Sequence, residues 1–276
     1  MMRAHSIGLH MAYFLFTLAV FFAAPLPCAA LTAADVAKEV KAAIGTGTTA
    51  EAGVKSAVAA AIADGMSAKE AARAAAEGAA AAALAMGRDM NPAIKGAVMG
   101  AAMGAAAAGL DTDGAIEGAS EGGIMAAVAA GADIQITAQA VVCGAVLTAV
   151  EQGRSSTAAV SGAVTGLLGG LTSSGLSPEG IESAVYGAAQ GARAAAMATG
   201  QESEALFSAV TDSVSLAAKA HGLPSGTVVA AAKAGMADTG PCPGCPAPKA
   251  VARPGAMPSV SPDAVEPVPD PTASPI

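Results

Sequence analysis

Bulky, small and polar residues recur along this chain with the period of an α-helix, and that pattern is itself repeated every 22 residues. Gly65, Gly87, Gly109, Gly131, Gly153 and Gly175 keep the 22-residue spacing, and Gly78, Gly100, Gly122, Gly144 and Gly166 form a second series with it. Segments 69–90, 91–112, 113–134 and 135–156 are full units. Segment 157–177 is one residue shorter, 178–202 is longer, looser copies occupy 47–68 and 203–224, and a partial copy begins at Ser225. Self-similarity at a short fixed period is the signature of a repeat architecture.

Each unit has room for one helix of about 17 residues, roughly 25 Å long. The periodic glycine near its end suits the left-handed position that closes a helix, and the polar residue two places later suits the N-cap of the next. Ser67 with Glu70 forms a capping box, and Ser177 precedes Pro178, a favourable first helical residue. By this reading "GLDTDG" at 109–114 is helix punctuation. A calcium loop would need Asp or Asn at Ala115, Gly at Ile116 and Glu at Gly122.

Within a unit the residue types separate by face. The sixth and tenth places are small, as at Gly96, Gly118 and Gly162 and along the second glycine series. The fourth, eighth and twelfth places carry Ile94 and Val98, Ile116 and Ile124, Val142 and Val146, and Val160, Val164 and Leu168. A ridge and a trough about 140° apart follow, and one helix can lay its ridge in its neighbour's trough without closing the assembly. The fold predicted is all-α: a solenoid-like array of about eight to nine short antiparallel helices, with a closed helical bundle or barrel as the alternative. The fifth and ninth places collect polarity and predict an exposed row, whose binding candidates are Lys95, Glu117, Glu121, Gln139, Cys143, Ser161, Thr165, Glu182 and Tyr186.

The ends of the chain break the pattern. Residues 1–30 carry one charge, Arg3, an apolar stretch at 13–24 and small residues before Leu31, as a signal peptide cleaved after Ala30 would. A secreted or periplasmic location is therefore expected. The helical-repeat domain is placed at 31–236, followed at 237–276 by a tail that holds 11 of the 16 prolines and should be extended. In that tail, Pro243 and Gly244 favour a type II turn, making Cys242 and Cys245 the disulfide candidates in an oxidising compartment. Cys143 is then left over, either a bland small residue or a thiol available to another chain.

Composition narrows the chemistry. Without the first 30 residues the chain keeps thirteen basic against 22 acidic residues, a formal charge of −9, and only Tyr186 and Phe207 as aromatics. Nucleic acid is an unfavourable partner on both counts. His221 is the one histidine left, beside Gly222, where a helix C-terminus explains it. No nucleophile elbow, phosphate loop or zinc motif occurs, so no enzyme, cofactor or metal site is predicted, and Glu117 and Glu121 beside Lys95 suit a solvated ion cluster. What remains is a non-enzymatic secreted or periplasmic scaffold that binds a protein or a surface. The small-xxx-small rows also suit a membrane-associated protein, and the alanine-rich helices an ice-binding one.

Overall fold

A computed structural model describes residues 31–201, 203–240, 242–243 and 245. The expected signal peptide and the tail from 246 onward lie outside the described residues. Within them the chain forms ten helices and no strand: α1 (Ala33–Gly45), α2 (Ala50–Ala63), α3 (Ala68–Ala85), α4 (Met90–Ala107), α5 (Thr112–Ala130), α6 (Ile134–Glu151), α7 (Ser156–Ser173), α8 (Pro178–Thr199), α9 (Ser203–Ala220) and α10 (Ser225–Ala237).

The repeat glycines act as the periodicity predicts. Gly65, Gly87, Gly109, Gly131, Gly153 and Gly175 all adopt positive φ. The amide just beyond each one reaches back to close the last turn, as when Arg88 N–H donates to the Ala83 carbonyl and Arg154 N–H to that of Ala149. Ser67, Asp89, Asp133, Ser155 and Ser177 then cap the following helices with side-chain oxygens. Asp111 stands at the N-cap of α5 but makes no side-chain cap bond. Its carboxylate instead accepts from Arg154 at 2.8 Å, so the "GLDTDG" connection is tied to the "GRS" connection two units on.

Each helix touches the next and the next but one in sequence, and no helix packs against one further away. Two layers result, α1, α3, α5, α7 and α9 in one and α2, α4, α6, α8 and α10 in the other. The first and last helices do not meet, so the array is open rather than a closed bundle or barrel. The ridge residues Ile94, Val98, Ile116, Ile124, Val142, Val146, Val160, Val164 and Leu168 are at most 2% exposed. Much of the remaining buried apolar surface is alanine.

Packing within a layer differs from the expected ridge in trough. A Cβ added at Gly118 or Gly122 would strike the carbonyl oxygens of Lys69 and Arg73; at Gly166, that of Glu117; at Gly187 and Gly191, those of Gln135 and Gln139. The glycine trough thus receives the backbone of the helix two units earlier. Contact positions rise together along both helices, from Gly118 with Lys69 to Gly122 with Arg73, so helices of one layer run parallel. Backbones this close bring Cα–H groups onto carbonyl oxygens, contacts worth about 0.5–1 kcal/mol each. Close approach compensates for side chains that have little area to bury.

Candidate functional site

The trough geometry leaves the expected exposed row only partly exposed. A fifth- or ninth-place residue presents its carbonyl to a glycine of the stacked helix, so its side chain lies along the seam between two helices. Gln139 and Cys143 are buried, at 3% and 0% exposure. Lys95, Glu117, Glu121, Ser161, Thr165, Glu182 and Tyr186 are half-buried. At Glu117, Glu121, Gln139 and Tyr186 the polarity of the row serves bonds that cross the seam.

In the layer of α3 and α5 those bonds are ionic. Lys69 Nζ lies 2.7 Å from Glu117 and 3.5 Å from Glu121, while the Arg73 guanidinium reaches Glu121 at 3.3 Å and Glu77 at 3.7 Å. The hydrogen bond to Glu117 holds the Lys69 ammonium above its ordinary pKa, and burial raises the Glu77 carboxyl. The basic partners of Glu117 and Glu121 are therefore Lys69 and Arg73 of the same layer. Lys95 belongs to the other layer, where it lines a small cleft with Asp89, Asn91, Pro92, Ile136 and Pro243. Next along the first layer, Ser161 and Thr165 on α7 make no side-chain hydrogen bond among the described residues.

The other layer carries the most elaborate arrangement. After α10 closes at Ala237, the chain turns back across α8 toward α6 as a short strap. Asp238 is its hub: its carboxylate accepts from the Tyr186 hydroxyl, from Gln190 Nε2 and, at 2.8 Å, from its own Gly240 amide, while Arg193 donates to its carbonyl. The Tyr186 hydrogen bond, then that of Gly240, hold the Asp238 carboxyl below its usual value. The same bond to Asp238 raises the Tyr186 phenol. Gln190 Oε1 accepts from Gln139 and, at 3.2 Å, from Gln135, so one amide network joins α6, α8 and the strap.

Three sulfurs meet at the end of this strap. Cys245 N–H donates to the Cys242 carbonyl at 3.1 Å, but the disulfide joins Cys245 to Cys143 rather than to Cys242. The two bonded residues are 102 positions apart in sequence and their Cα atoms 5.9 Å apart. Cys242 remains close, its sulfur 3.2 Å from that of Cys245, and it donates its S–H to Gln139 Oε1 at 3.7 Å. No turn signal could identify a partner on α6, and Cys143 reads as a surface position until the strap lies over it.

No family model matches the chain, and no curated protein matches it. Its chemistry has to be read from the sites themselves. Asp238, Gln190 and Arg193 were not among the sequence candidates, although a glutamine and an arginine inside the alanine-rich α8 are a usable signal. Glu182 lies apart from the strap, in a crevice with Leu223, Pro224 and Thr227. His221 closes α9, its Nδ1 3.4 Å from the Thr172 hydroxyl two helices away. Among the described residues no group of three metal-ligating side chains occurs, and Asp111 and Asp113 face Arg154. Burial, then the neighbouring Asp111, raises the Asp113 carboxyl. Among the described residues one helix, α6, is long and apolar enough to cross a membrane, and two-thirds of it is buried inside the array.

Proposed function

We propose that the protein is a non-enzymatic helical-repeat scaffold acting outside the cytoplasm, which binds a protein or a surface through the outer seam of the α3, α5, α7 and α9 layer. The observation that carries this reading is the contrast between the two layers. On the α6–α8 side the seam is engaged by the strap, its polar groups joined to Asp238 and its thiols to one another. On the opposite side Ser161 and Thr165 stand half-exposed with hydroxyls uncommitted, next to the flat ion ladder of Lys69, Arg73, Glu117 and Glu121. Repeat arrays commonly bind through such extended recurring surfaces. Lys69, Arg73, Glu117 and Glu121 place charge along the helices of this layer, which is costly in hydrocarbon and favours the scaffold reading over the membrane one.

A photoreactive side chain at Thr165 tests the proposal in the secreting cell, with the same group at Thr227 on α10 as control. A discrete cross-linked adduct from position 165 and none from 227 is expected. Equal adducts from both positions, or none from either, would refute the assignment of this face.

A further inference from the structure

We propose that Cys143, Cys242 and Cys245 form a thiol–disulfide exchange site in which Cys245 is the shared sulfur, bonded in turn to Cys143 on α6 and to Cys242 within the strap. The geometry supports both positions. The disulfide fixes Cys245 beside Cys143, and with Cys245 N–H bonded to the Cys242 carbonyl the Cys242 sulfur lies 3.2 Å from that of Cys245. Gln139 Oε1 accepts the Cys242 S–H and so holds that thiol at the exchanging pair. Cys242 is half-exposed, which gives its proton a route to water.

The step is an isomerisation. Cys242 releases its thiol proton to water, and the thiolate attacks Cys245 Sγ. The Cys242–Cys245 bond forms as the Cys143–Cys245 bond breaks, and the electron pair leaves on Cys143 Sγ, which takes up a proton from water. One disulfide and one thiol stand on each side, so neither oxidant nor reductant is consumed. In the first state a covalent bond anchors the strap to α6. In the second the bond closes a small loop within the strap, and Cys143 becomes a thiol beneath it. The site is therefore a latch whose setting is recorded by which cysteine is the thiol.

The test uses the full secreted chain, quenched with acid, alkylated and mapped by mass spectrometry without reduction. Two species are expected: label on Cys242 with Cys143 linked to Cys245, and label on Cys143 with Cys242 linked to Cys245. A sample enriched in either species should relax to the same ratio at a rate independent of protein concentration. That rate should rise about tenfold per pH unit below the ordinary thiol pKa of about 8.5. In Cys242→Ser the Cys143–Cys245 bond should persist and Cys143 should take no label. Label confined to one cysteine at every pH, label on Cys245, a rate that scales with protein concentration, or label on Cys143 in Cys242→Ser would each overturn the proposal.

Discussion

Gly114, Gly144 and Gly166 all lie within helices, yet the space around them differs. A Cβ at Gly114 meets nothing within 4 Å; at Gly144 it lies 3.0 Å from the Lys95 carbonyl oxygen; at Gly166 it collides with that of Glu117. Alanine in place of glycine favours a helix by about 1 kcal/mol, whereas overpacking a tight contact costs about 1–3 kcal/mol. Gly114→Ala should therefore stabilise by about 1 kcal/mol and Gly144→Ala should stay within about 1 kcal/mol of the parent. Gly166→Ala should lose about 2 kcal/mol. Denaturant midpoints of the three variants check that order, and equal shifts would mean the glycines serve the helices singly rather than their stacking. The 22-residue spacing makes the trough legible in sequence. It does not reveal how closely each glycine approaches its neighbour, because that depends on where two helices cross.

At the scale of elements, the caps, connections and helix bounds follow from local rules, and they are the parts most fully readable in the chain. The row is less exposed than the sequence implies because a single helix cannot tell a solvent-facing stripe from a seam between stacked partners: both favour polar residues at the same spacing. The strap is illegible in sequence for a different reason. Its docking depends on Asp238 meeting Tyr186, Gln190 and Arg193, residues that lie 45–52 positions away in sequence. A depressed carboxyl pKa means that Asp238 contributes stability above the ordinary carboxylate range and loses it as the pH falls through its own lower value. The raised Tyr186 phenol reads the same contact from the alkaline side, since ionising it would place a phenolate beside the carboxylate. In the chain from Leu31, whose one tyrosine is Tyr186, ultraviolet titration should find that residue ionising above the usual tyrosine range. Asp238→Asn should bring that transition back down, and an unmoved transition would mean the strap does not engage α8 through this pair.

The whole molecule is governed by parity, since every unit adds one helix and sends the chain to the opposite layer. Removing residues 91–112 leaves α6 and the strap in one layer, so the Cys143–Cys245 bond should survive. Removing residues 157–177 puts Cys143 in one layer and the strap in the other, so that bond should be lost even though the remaining helices can still stack. Non-reducing peptide maps of the two deletions check this, and retention of the bond in both would contradict the alternation of layers. The same bond encloses the 102-residue separation between α6 and the strap in a covalent ring, while α1 to α5 stay outside it. Closing a ring of about 100 residues removes unfolded-state entropy worth about 4.7 kcal/mol in the chain-entropy model. An array whose units resemble one another could lose helices from either end. The ring gives it a direction: fraying is cheap at α1, costly at α10, and becomes even-handed whenever Cys245 changes partner.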